Sequence, residues 1–131
     1  MPQPVTTLSD RLRLGELRDV NCPSRGVLKH VSSLWGVLCL ICLQEGTMRF
    51  SQLRRRAAGV SEKMLSQTLR QLEEDGFVHR QDFATVPPHV EYSLTAMGHE
   101  VSAHVAALTD WIEGNLPAIM EHKHRAMTTS A

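Results

Sequence analysis

The residues best equipped to do chemistry lie between Arg49 and Arg70. The chain as a whole carries a formal net charge of +0. This one stretch nevertheless holds Arg49, Arg54, Arg55, Arg56, Lys63 and Arg70 against a single acid, Glu62. Lys63, Ser66, Gln67 and Arg70 recur at i, i+3, i+4 and i+7, so on a helix they share one face. Lysine and arginine can donate to O6 and N7 of guanine, glutamine can grip N6 and N7 of adenine, and serine suits either. Arg54, Arg55 and Arg56, with Arg49 at the start of the segment, have the reach and charge to sit on phosphates, which position a protein without reading sequence. Ser61 stands where a helix would begin, and free N–H groups at a helix start can also meet a phosphate. Glu73, Glu74 and Asp75 follow in the next turns and repel a polyanion, so contact is expected over the first two turns only. One of the three consecutive arginines is placed to fold back onto Glu73 or Glu74. The chemistry implied is recognition of double-stranded DNA.

These side chains need a scaffold, and its outline is readable. Leu65, Leu69 and Leu72 recur at i, i+4 and i+7 opposite the polar face, so the reading helix, from Glu62 to about Asp75, has an anchor. Ser61 caps it and Gly76 stops it. A shorter helix, Gln52 to about Ala57 capped by Ser51, precedes it across the Ala58-Gly59 break, and Met48 to Phe50 reads as extended. Upstream, Leu34 to Gln44 is apolar nearly all round (Trp35, Val37, Leu38, Leu40, Ile41, Leu43), the pattern of a central core helix. Ser32 or Ser33 caps it, and Gly46 suits its left-handed exit. Pro23 favours the first position of a helix running to Val31. Thr6 to Arg18 gives a partial apolar stripe. Downstream, Phe77 to Phe83 and His89 to Leu94 alternate as strands around a loop stiffened by Pro87 and Pro88. Arg80 and His89 are placed to reach the phosphate backbone or minor groove. Thr95 caps a long last helix that Pro117 is expected to interrupt or end near Leu116.

The fold class is mainly α with a small β-hairpin, a winged helix-turn-helix. Residues 1–20 form an N-terminal arm, 21–95 the DNA-binding domain, 96–125 a C-terminal helical region and 126–131 a flexible tail. The two ends carry apolar stripes: Leu8, Leu12 and Leu17 at one, and Val101, Val105, Leu108, Trp111 and Ile112 at the other. One small domain has too little surface to cover both, so a two-fold homodimer through these regions is expected. Its reading helices should lie about one DNA turn, ~34 Å, apart on a palindromic operator.

The rest of the composition excludes more than it adds. At 131 residues the chain suits one domain, with ordinary hydrophobic and charged fractions of 42% and 21%. Val37 to Leu43, the longest apolar run, is too short for a membrane span. No phosphate loop, paired-carboxylate motif or nucleophile elbow is present, so no enzyme activity and no cofactor are expected. Three cysteines without framework spacing fit a reducing, cytoplasmic setting. Cys39 and Cys42 fall inside the apolar helix and read as core; the histidines are scattered, and no metal site is expected. Cys22 differs. It stands at a helix start beside Pro23, with Arg25 and Lys29 within two turns, conditions that favour thiolate when the thiol is exposed. A cysteine filling a helix junction is the alternative.

These pieces together resemble the HxlR-type family of bacterial winged-helix regulators, which are MarR-like. The match lies in Cys22-Pro23, Trp35, Arg49-Phe50 with Leu53-Arg54, Gly59-Val60-Ser61 with Met64-Leu65, Leu69, Leu72 through Gly76, and the string Val86 to Thr95. It covers about residues 20 to 113. The resemblance implies a dimeric DNA-binding transcriptional regulator, often autoregulatory or controlling genes for electrophile, quinone or aldehyde stress. It also implies a redox or electrophile sensor at Cys22. Family members usually carry Gly-Gly-Lys before the tryptophan; here Ser32-Ser33-Leu34 stands instead, so that lysine's contacts do not carry over. A regulator answering a non-covalent apolar effector, and a winged helix that binds protein rather than DNA, are the rival readings.

Overall fold

Four of the helices begin where a hydroxyl can accept from a free backbone N–H group. In the computed structural model, which describes residues 7–15 and 20–129, Thr7 accepts from Asp10 N–H, Ser33 from Gly36, Ser61 from Met64 and Thr95 from Gly98, at 3.0–3.1 Å. The element order is α1 Leu8–Leu14, α2 Pro23–Ser32, α3 Leu34–Leu43, β1 Met48–Arg49, α4 Phe50–Arg56, α5 Glu62–Glu74, β2 Val78–Asp82, β3 Val90–Leu94 and α6 Ala96–Thr129. Pro23 takes the first turn of α2, where its missing N–H costs nothing. Among the described residues no single helix is long and apolar enough to cross a membrane.

α3 is the hub. Cys39, Leu40 and Leu43 on it are fully buried, and it packs against α2, α4, α5, β3 and α6. Leu53 of α4, Leu65, Leu69 and Leu72 of α5 and Val78 of β2 complete the core. α5 is thus held by the apolar face that its sequence period picks out. Its exit is equally defined: Gly76 takes φ 86°, where a side chain would be strained, and Phe77 N–H reaches back to the Leu72 carbonyl at 2.9 Å. Gly98 meets a different need. A Cβ there would overlap the Phe77 carbonyl oxygen, so only glycine lets the first turn of α6 close on the backbone leading into β2.

The sheet corrects the expected hairpin. β2 and β3 pair antiparallel from Val78↔Leu94 to Asp82↔Val90, but β1 adds a third strand through Met48↔Tyr92 and Arg49↔Glu91, giving the order β1-β3-β2. Two residues leave no alternation to read; only their partner makes them a strand. α4 therefore begins at Phe50, with Arg49 at its cap position and Gln52 Oε1 accepting from Arg49 N–H at 2.9 Å, and Ser51 lies inside its first turn.

The terminal helices differ in what can be compared. α1 spans Leu8–Leu14 with Gly15 as its left-handed cap, and the rest of the expected stretch to Arg18 lies outside the described residues. α6 runs straight through Pro117 to Thr129, past both the expected break and position 125. Pro117 removes one N–H, orphaning the Glu113 carbonyl, but this part of α6 is exposed and water can take that carbonyl. Two turns from α6's start, Gln44 Nε2 donates to Ser102 Oγ at 3.0 Å, joining the end of α3 to α6.

Candidate nucleic-acid interface

The folded chain turns the phase argument into a surface. Leu65, Thr68, Leu69 and Leu72 face inward on α5, while Lys63, Ser66, Gln67 and Arg70 are all exposed. Neither Lys63 nor Arg70 makes an ion pair among the described residues, although Glu73 and Glu74 lie within a turn of Arg70. Their charges therefore remain available. Ser61 uses one lone pair to cap α5, leaving its O–H free to donate.

The three consecutive arginines separate. Arg54 Nη1 lies 3.1 Å from Glu62 Oε1, spanning the turn between α4 and α5. Arg56 lies 3.5 Å from Glu45. Arg55 has no ion-pair partner among the described residues. None pairs with Glu73 or Glu74; those acids stand at the far end of α5, whereas Glu62 and Glu45 lie next to α4. The turn between the two helices also forms a cleft lined by Ser51, Arg54, Arg55, Gly59, Val60 and Ser61. Two arginines, two hydroxyls and the N-terminal end of α5 converge there, the donor set that suits a phosphate. Ser51 lines this cleft from the first turn of α4 instead of capping the helix as expected, because α4 starts at Phe50.

A second groove separates α5 from the sheet, lined by Ser66, Leu69, Arg70, Glu73, Glu74, Arg80 and Tyr92. It brings Arg80 of β2 alongside Ser66 and Arg70, with Asp82 3.9 Å from the Arg80 guanidinium. Tyr92 joins through the β2–β3 pairing, a placement that no local pattern in the sequence signals. Arg49 and His89 line neither of these two clefts. Arg49 is exposed on β1 in register with Glu91. His89 is occupied at the base of the wing: its Nε2 lies 3.4 Å from Glu91, and its ring meets Phe83 edge-on at 4.8 Å. The tip itself is folded by Asp82 Oδ1 accepting from Ala84 N–H at 2.8 Å and by Thr85 Oγ1 donating to the Pro87 carbonyl at 2.9 Å. Val86 is almost completely exposed there.

The cysteines fall into two environments. Cys39 is fully buried, and burial pushes its thiol up to about 12, with Cys42 adding to the effect. Cys42 is also raised, chiefly by burial, with Arg56 opposing and Glu45 reinforcing. Both remain protonated packing residues at neutral pH. Cys22 holds the N-cap of α2 without a side-chain capping bond and lines a cleft with Arg25 and Lys29, as the sequence suggested. It is only 7% exposed, however, so the access expected of a sensor is largely closed in this conformation. Among the described residues no group of histidine, cysteine and acidic side chains is arranged to hold a metal.

The residues expected to pair two chains divide as well. Val105 is 8% exposed and Val101 packs on the same core, so both serve this chain rather than a partner, because α6 lies across α3 at that point. Leu8 shares a cleft with Pro23, Val27, Leu28 and Val31 of α2. Leu17 lies outside the described residues. Leu12 remains exposed, and Leu108, Trp111 and Ile112 are 57%, 62% and 43% exposed on α6.

Comparison with known proteins agrees with this geometry. The HxlR-like helix-turn-helix family profile matches residues 30–120. Over 114 residues the chain is 60% identical to the uncharacterized HTH-type transcriptional regulator YtfH of Escherichia coli (strain K12), covering 87% of this chain and 90% of that one. A solved structure of ytfH from Salmonella typhimurium superposes with a TM-score of 0.78 at 59% identity, over 81% of this chain and 95% of that chain. The redox regulator HypR in its reduced form gives 0.69 at 33% identity, over 76% and 98%. With its core, wing and α5 all inside the matched span, this chain belongs to the HxlR-like helix-turn-helix family of transcriptional regulators.

Proposed function

We propose that this protein is a sequence-specific DNA-binding regulator that acts in the cytoplasm as a homodimer on a palindromic operator. The observation that carries this reading is the outer face of α5: four exposed hydrogen-bonding side chains at helical spacing, two of them cations with no ion pair among the described residues. Arg55 and the cleft at Ser61 supply phosphate contacts, and Arg80 approaches from the wing side. Lys63, Ser66, Gln67 and Arg70 read bases. Leu108, Trp111 and Ile112 supply the exposed apolar stripe for pairing two chains. Selection from a randomised duplex pool with purified protein tests the whole reading. A two-fold symmetric sequence should be enriched, and sedimentation at micromolar concentration should give a dimer; recovery of no sequence, or a stable monomer, defeats the corresponding part.

The regulator is further proposed to respond to thiol modification at Cys22. Supporting this are the absence of a competing capping bond at the sulfur, the flanking Arg25 and Lys29, and the likeness to a redox regulator. With little exposure, Cys22 favours small reagents. Diamide or a quinone should release wild-type protein from its operator and leave Cys22→Ser bound. An equal response from both proteins removes Cys22 from the mechanism.

A further inference from the structure

One polar contact far along the sequence does not belong to the DNA-facing surface. His30 Nδ1 and Asp75 Oδ2 are 2.6 Å apart, with side chains only 25% and 14% exposed. His30 lies in the last turn of α2, and Asp75 is the C-cap of the reading helix. We propose that His30 is a positioning residue for base reading: its bond to Asp75 fixes the orientation of α5, and so the placement of Lys63, Ser66, Gln67 and Arg70. This inference rests on the DNA-reading function proposed above.

Leu65, Leu69 and Leu72 hold α5 against the core through apolar contact, which is non-directional: it sets how deep the helix lies better than how it is turned or tilted. A short hydrogen bond with a carboxylate acceptor is directional. With Asp75 as acceptor, His30 Nδ1 carries the proton and donates.

Leverage then makes the placement matter. At 1.5 Å per residue, Lys63 is about 18 Å along the helix from Asp75, so a tilt of ~5° about that end moves it by roughly 1.5 Å. Base-edge hydrogen bonds span only about 2.7–3.2 Å and weaken steeply off geometry. The same displacement is small for a long arginine on a phosphate. Arg55, moreover, sits on α4, which this bond does not touch. Loss of the tie should therefore damage recognition of sequence while sparing attraction to DNA.

The experiment compares His30→Leu, His30→Asn, Asp75→Ala and the double variant His30→Leu/Asp75→Ala with wild type. Affinity is measured by fluorescence anisotropy on the selected operator and on a shuffled duplex of equal length, with thermal unfolding in parallel. Asparagine places an N–H donor at the same distance from Cβ as Nδ1. His30→Leu and Asp75→Ala should each weaken operator binding about tenfold and shuffled-duplex binding less than twofold. Asparagine should restore most of the difference, and the double variant should be no worse than the worse single one. Equal losses on both duplexes, a changed melting temperature with an unchanged operator-to-shuffled ratio, or additive single effects would overturn the proposal. Failure of wild type itself to distinguish the two duplexes would instead defeat the DNA-reading function, and this inference with it.

Discussion

Arg54, Arg55 and Arg56 are identical in sequence terms and unlike in the fold, and replacing each with alanine should show it. Neutralising one phosphate lowers the slope of log K against log salt by about 0.9, because condensed cations leave the DNA. Arg55 has no ion pair among the described residues, so its contact should contribute this in full. In a dimer, Arg55→Ala removes two such contacts and should flatten the slope by about 1.8; between 50 and 200 mM salt the wild type would then lose ~12-fold more affinity than the variant. Arg54 and Arg56 begin beside carboxylates at 3.1 and 3.5 Å. These pairs are exposed and weak, so DNA can exchange them. An arginine that leaves Glu62 for a phosphate frees a cation from DNA, but Glu62 then attracts one. The slope change for Arg54→Ala and Arg56→Ala should accordingly be well below that for Arg55→Ala. Anisotropy titrations on the selected operator across that salt range measure all three. An unchanged slope for Arg55→Ala, or a larger one for either neighbour, would refute the assignment.

Arg70→Ala should weaken operator binding by about 1–3 kcal/mol and relax preference at one base pair per half-site, read by single-base scanning of the operator. Leu65→Ala, at a fully buried position, should cost about 2–5 kcal/mol in urea unfolding; a loss below 1 kcal/mol would show that α5 does not need this anchor. Cys39 makes stability depend on alkaline pH. Its folded value of about 12 lies above the ordinary 9.0, so the unfolded chain loses the proton first, and the stabilisation present below pH 9 declines as pH rises towards 12. By pH 10.5 the decline should reach about 2 kcal/mol, measured as the extra pH-dependence of wild type over Cys39→Ala; parallel curves would contradict it.

The site was legible to the extent that it is a matter of helical phase. Lys63, Ser66, Gln67 and Arg70 could be assigned outward, and Leu65, Leu69 and Leu72 inward, because both faces belong to one helix and obey one period. The same local logic located Ser61 as a cap, Gly76 as a stop, and the alternating strands of the wing. It failed where the partner comes from elsewhere. Arg56 finds Glu45 across β1, His89 turns to Glu91 and Phe83, and Met48–Arg49 becomes a strand only beside β3.

The terminal stripe shows the same boundary. From sequence, Val101, Val105, Leu108, Trp111 and Ile112 form one apolar series with nothing to divide it. α3 lies against the first part of α6, so Val105 closes the chain's own core, while among the described residues the part beyond leaves Leu108 and Trp111 exposed. Pro117 is similar: its missing N–H is a local fact, but the helix persists around it in an exposed stretch where the orphaned carbonyl can be hydrated. By itself the sequence determined the kind of protein, a winged helix carrying an exposed cationic face on α5, because caps, periods and turn residues act over a few positions. Only the tertiary structure decided which charges are free, which apolar residues are already used, how far Cys22 is covered and that His30 meets Asp75 at the end of α5. Each of those depends on a contact between distant segments, and no spacing along the chain encodes it.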